Sequence, residues 1–128
     1  MKNTVLTLIG IFLAAMSFAQ TEISVDSAAN YMGQNVKICS KVYGVKAFES
    51  VTLLNLGAAY PLSPLTIAVA TKDNANFDIP FDNYKGEEIC VTGIISEHKG
   101  KAQIVLTKQE QIKIMKPTPA GGEAKPQK

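Results

Sequence analysis

The chain has 128 residues, 13 Lys plus Arg against 11 Asp plus Glu, and a formal net charge of +2. That length points to one domain. The near-neutral balance, reached with no Arg at all, excludes the broadly basic surface with which most nucleic-acid binders neutralise phosphates, so any basic patch must be local.

The first segment, "MKNTVLTLIGIFLAAMSFAQ", has a positive start at Lys2, an apolar run from Val5 to Met16, and small residues before Gln20. This is the layout of a secretory signal peptide. The apolar run is shorter than the roughly 20 residues of a spanning helix. We expect a signal peptide over 1–19, a mature chain with no stable membrane span, and an exported location, periplasmic or secreted. From 22 to 115 there are 9 Lys and 10 acidic residues, a balance of −1.

"EISVDSAANYMGQN" reads as a short helix, with Ser24 as its N-cap. Ala28, Ala29 and Met32 supply its apolar side, and Gly33 its stop. "NVKICSKVYGVKAF" then alternates, with Val36, Ile38 and Val42 on one face and Lys37, Cys39 and Lys41 on the other. Gly44 interrupts it, as a bulge or sharp bend does. "SVTLLNL" is a second strand and "LTIAVATK" a third. Between them "GAAYPLSP" reads as a rigid connector. Gly57 permits a turn, Pro61 and Pro64 stiffen the path, Asn55 can bond the turn's backbone, and Tyr60 can fold back over the core.

"DNANFDIPFDNYKG" breaks the strand pattern. Pro80 argues against a long helix there, so a short or broken helix, or a structured loop, is expected. "EEICVTGIISEH" is a fourth strand with Gly93 as a second bend, "HKGK" a tight turn, and "AQIVLT" a fifth strand. "KQEQIKIM" closes the domain by packing Ile112 and Ile114. The last segment, 116–128, holds three Pro, two Gly and three Lys, and is expected to be a disordered tail. The domain therefore spans 20–115. Five strands with Gly bends, a short N-terminal helix and a helical insert between the third and fourth strands match the partly open Greek-key barrel called the OB-fold. A small open α+β sheet is the rival.

The stretches "YMGQNVKICSKV", "LLNLGAAYPLSPLTIAVA" and "YKGEEICVTGIISEHKGKAQIVL" together resemble small exported bacterial OB-fold domains, often labelled nucleic-acid-binding or DNA-binding. The resemblance spans about Ser24 to Ile112. In that family "LNLG" precedes a "YP" turn, "YKG" precedes the next strand, and "VTG" and a "YKGK"-like hairpin follow. Here "YKG" is Tyr84 to Gly86 and "VTG" is Val91 to Gly93; the hairpin departs, with His98 where Tyr is common. The resemblance implies an OB-fold and nucleic-acid binding.

Catalysis has little to stand on. His98 is the one His in the chain, and Glu87 and Glu88 are adjacent, so on a strand they face opposite ways. We expect no enzyme, no catalytic residues and no cofactor. Two Cys and one His fall short of a closed zinc site, so no metal is expected. If the fold is an OB barrel, its first and fourth strands are antiparallel neighbours. Cys39 and Cys90 each lie opposite the main apolar face of their strand. A cross-strand disulfide is then reachable, and export favours it over two free thiols.

Binding is the remaining class. OB-folds hold extended ligands across strands two and three, flanked by the loops after strands one and four. Those loops supply Lys46 and Phe48, and His98, Lys99 and Lys101. With Tyr60 these residues form the only local concentration of cations and aromatics, the combination single-strand binders use. The candidate ligand-binding set is therefore Lys46, Phe48, Tyr60, His98, Lys99 and Lys101, and the candidate partner is single-stranded nucleic acid. An envelope protein or a small ligand is the alternative partner, supported by the neutral charge and the lack of Arg.

Overall fold

A computed structural model describes residues 20–115. The expected signal peptide at 1–19 and tail at 116–128 lie outside the described residues. Seven strands form one sheet: β1 (Thr21–Ile23), β2 (Asn35–Ala47), β3 (Val51–Leu56), β4 (Leu65–Ala70), β5 (Glu88–His98), β6 (Lys101–Leu106) and β7 (Ile112–Ile114). All connecting helical pieces among the described residues are short 3-10 segments.

The five longer strands follow the alternation in the sequence. Val36, Ile38 and Val42 of β2, Leu54 and Leu56 of β3, Leu65, Ile67 and Val69 of β4, Ile89, Val91 and Ile95 of β5, and Ile104 and Leu106 of β6 are all fully buried in one core. Each such side chain contributes about 1.5–3 kcal/mol relative to exposure. Their pairing runs β2–β3–β4–β6–β5, and β5 pairs back onto β2, so these strands succeed one another round a ring. All these pairings are antiparallel except β4–β6.

Two strands must change partners for the ring to close. β2 pairs with β5 through Lys41 and with β3 from Val42 onward, and its register shifts between Val42 and Gly44. β5 pairs with β2 through Ile94 and with β6 from Ile95 onward. Gly93 stands at that handover. A Cβ there would sit 2.7 Å from Ile104 Cγ2, so only Gly lets the two strands approach. Both glycines thus occupy the joints expected of them.

Some expectations are corrected. Two further strands, β1 and β7, lengthen the edges beside β2 and β5. The first helix is a 3-10 segment, Val25–Tyr31. With three residues per turn, i and i+3 stack, so Val25, Ala28 and Tyr31 face the core while Ala29 and Met32 are exposed. Ser24 stands at the N-cap but its hydroxyl caps no backbone N–H; it lies 3.0 Å from the Ser27 hydroxyl. The insert is broken into Thr71–Asn76 and Phe81–Tyr84. It buries Tyr84 and rests Phe77, Ile79 and Phe81 against the core.

Tyr84 and Gln109 tie the insert to the last strand. The Gln109 amide N–H donates to the Tyr84 hydroxyl at 3.0 Å and its carbonyl accepts from the Asp78 backbone N–H at 2.7 Å. Burial pushes the Tyr84 hydroxyl above its ordinary pKa, the Gln109 hydrogen bond opposes this, and the nearby Asp78 charge adds to it.

Cys39 and Cys90 are directly opposite each other on β2 and β5 and form a disulfide, with Cα atoms 4.0 Å apart. No helix among the described residues is long and apolar enough to cross a membrane.

Candidate nucleic-acid interface

The alternation that buries one side of β3, β4 and β6 turns the other side outward. Val51, Leu53 and Asn55 of β3, Thr66, Ala68 and Ala70 of β4, and Lys101, Gln103 and Val105 of β6 share this outer face, on which Asn55 and Ala68 are themselves buried. None of these positions is a carboxylate. The register arranges them in rows. Gly44, Asn55, Thr66, Gln103 and Ser96 lie side by side, a row of amides and hydroxyls. The next row, Lys46, Leu53, Ala68 and Val105, is apolar but for the lysine.

The six candidate residues border this face, but they do not form one cluster. Lys46 and Phe48 sit where β2 ends. The Lys46 ammonium lies 5.6 Å from the centre of the half-exposed Phe48 ring, within the range of a cation–π contact. The Phe48 backbone N–H donates to the Val51 carbonyl at 2.8 Å, which fixes the loop. His98, Lys99 and Lys101 belong to the β5–β6 hairpin. Lys99 and Gly100 both take positive φ, 53° and 81°, the conformation of a two-residue hairpin turn. His98 is paired with Lys101. Lys101 is four residues along β6 from Val105, which shares the row of Lys46 three strands away, so the two groups are offset by about 13 Å along the strands and about 14 Å across them.

Tyr60 joins the hairpin group. The connector between β3 and β4 runs beside the hairpin, and the Lys101 ammonium donates to the Pro61 carbonyl. The Tyr60–Pro61 peptide is cis. Tyr60 does not fold back over the core; it is 77% exposed. What covers the sheet is Ser63, whose hydroxyl donates to the Asn55 side-chain carbonyl at 3.2 Å with both residues buried. Asn55 therefore bonds a side chain of the connector, not its backbone. Gly57, at φ +87°, admits Pro64 so closely that a Cβ would lie 2.5 Å from the Pro64 ring.

Leu62 was not singled out from the sequence. It is 80% exposed beside Tyr60. Its place between two prolines, at 61 and 64, was the available signal. A second cation–aromatic pair was also missed: the Lys41 ammonium lies 5.4 Å from the Tyr43 ring centre on β2. Among the described residues, no three His, Cys, Asp or Glu side chains are grouped as metal ligands.

No protein-family model matches the sequence, and no curated protein matches it. Solved structures match the fold. The chain is similar to the crystal structure of yeast Stn1 and Ten1, with a TM-score of 0.53 at 12% identity over 79% of this chain and 65% of that one. It is similar to the S. pombe Stn1–Ten1 complex, with a TM-score of 0.52 at 11% identity over 67% of this chain and 61% of that one. It is also similar to RecG bound to a three-way DNA junction, with a TM-score of 0.50 at 15% identity over 77% of this chain and 13% of that one. In each case this chain spans less than two thirds of the matched chain. These likenesses show a mostly β, OB-fold-like architecture.

Proposed function

We propose that this chain is an exported OB-fold binding module and not an enzyme. In this reading it belongs with the small exported bacterial OB-fold domains it resembles, and its ring of five strands is their Greek-key barrel. The ligand is single-stranded nucleic acid, laid across the outer face of β3 and β4 and the hairpin at 98–101.

One observation carries the reading. The outer face holds no carboxylate at the strand positions described above, and it is bordered at one end by Phe48 with Lys46 and at the other by the exposed Tyr60 and the hairpin that carries Lys99. Aromatics offer stacking faces to bases and lysines offer charge to phosphates. The Cys39–Cys90 disulfide supports the exported location, because such bridges persist in oxidising compartments. The fold alone implies no function.

The test is a titration of labelled single-stranded DNA and RNA with the 20–128 chain at low and moderate salt. Binding that weakens with salt is expected. Phe48→Ala should weaken it by about five- to a hundredfold, the value of one base stacked on an aromatic ring. Absence of binding at low salt would sink the proposal. The alternative is a module for an envelope protein or a small ligand, favoured by the −1 balance over 22–115. It predicts a protein captured by crosslinking in the producing cell and no salt-sensitive oligonucleotide binding.

A further inference from the structure

Tyr60 and Leu62 are far more exposed than Phe48, at 77% and 80% against 49%. Side chains so apolar and so exposed on a loose loop would be mobile. Here the loop is held at three levels. At its base, Gly57 and Pro64 are in close contact beside Val25. In its middle, Ser63 is bonded to Asn55 on the sheet. At its tip, the Leu62 backbone N–H donates to the Ala59 carbonyl at 2.8 Å, closing a turn with Tyr60 and Pro61 at its corner. The Lys101 ammonium then fixes that corner through the Pro61 carbonyl, across 40 positions of sequence.

We propose that Tyr60 and Leu62 form one preorganised base-stacking tip, and that Lys101 is a positioning residue that holds it through Pro61 instead of a phosphate contact. This rests on the nucleic-acid reading of the outer face. An apolar tip ordered before the ligand arrives gives up little conformational freedom on binding. An unpaired base offers it a planar face of matching chemistry. The hairpin leaves Lys99, exposed at the turn, to meet the phosphate. The inference thus divides two neighbouring lysines by role: Lys99 acts by charge, Lys101 by geometry.

The two roles differ in how they respond to salt. A lysine that neutralises a phosphate releases a counterion, and losing it flattens the salt dependence of single-strand binding by about 0.7 in log–log slope. A positioning lysine weakens binding without that change. The experiment measures affinity for a labelled oligothymidine of about 12 nucleotides, within the usual range for one OB-fold, over a series of salt concentrations. Lys99→Met should flatten the slope. Lys101→Met should weaken binding about tenfold at unchanged slope, and adding Tyr60→Ala to it should cost little more, because both act on one tip. Leu62→Ala should weaken binding as well. A slope flattened by Lys101→Met, or full additivity with Tyr60→Ala, overturns the positioning role. Unchanged affinity in Leu62→Ala overturns the assignment of Leu62.

A second measurement separates this inference from the reading it rests on. Backbone ¹⁵N order parameters at Ala59, Tyr60 and Leu62 in the free protein should fall in Lys101→Met and not in Lys99→Met. If they fall while no oligonucleotide binds, the stacking role is refuted and the positioning role of Lys101 stands. If they do not fall, the positioning role is refuted whatever binds.

Discussion

The two sides of the sheet are held and dressed differently. On one side, β1, β2, β5 and β7 pair in that order, a disulfide links β2 to β5, and charges point outward: Lys37 beside Glu22, Lys41 opposite Glu88, and Lys113 opposite Cys90. On the other side, β3, β4 and β6 have no covalent link and present amides, hydroxyls and small apolar groups between the Lys46–Phe48 pair and the connector held by Lys101. Mixed charges on the stitched side suit it to water. The other side leaves its lysines without neighbouring carboxylates at the strand positions of the outer face. The contrast teaches that both sides share one core, but only one adds a covalent link and an outer surface of mixed charge.

The largest effect should come from the stitch. Replacing both Cys39 and Cys90 by Ser releases a closed loop of 51 residues, which costs about 4 kcal/mol in the chain-entropy account. Denaturant unfolding should show that loss. Oligonucleotide affinity measured where the variant is still folded should be unchanged. A matching loss of affinity would mean the two sides are not independent.

Gly93 stands at the joint between the sides, and Gly93→Ala is next in size. The added methyl would meet Ile104 Cγ2 at 2.7 Å. Overpacking of this kind costs about 1–3 kcal/mol. Thermal unfolding checks it, and a change below half a kcal/mol would mean the joint is slack.

The smallest effect concerns the buried hydroxyl on the stitched side. Tyr84→Phe removes the bond from Gln109, worth about 1 kcal/mol. It also changes the alkaline limb of stability. Burial raises the Tyr84 pKa in the fold, so the neutral phenol is the form the fold favours. That contribution is complete below the unfolded value of about 10. It is lost as pH rises through the folded value. Wild type should therefore lose stability above about pH 10 more steeply than Tyr84→Phe. Parallel curves would show that the hydroxyl ionises as freely in the fold as in the unfolded chain.

Much of this was legible in the residue pattern. Period-2 alternation put Val36, Ile38 and Val42 inside and Cys39 outside, because side chains on a strand alternate faces. Gly44 and Gly93, each breaking a strand pattern, marked the joints. The candidate set was legible only as residue types. Lys46 and Phe48 are close in sequence and stayed together. His98, Lys99 and Lys101 stayed together for the same reason. That these groups stand at opposite ends of one face follows from the β3–β4–β6 register, which no local pattern contains. The size of Tyr60 allows it either to fold back over the core or to stand out as a contact, and a turn fixed by Lys101 and Ser63 carries it out to solvent.

The sequence by itself thus determined which residues face the core, where strands bend, and which two cysteines could meet. These are properties of local periodicity and steric limits, which act within a few residues. Only the tertiary structure decided that Cys39 and Cys90 stand in register, that the first helix is wound with three residues per turn, and that Lys101 reaches Pro61. The first and last of these depend on segments far apart in sequence being brought side by side. That arrangement is set by the closing of the whole ring and the burial it achieves, not by any one segment.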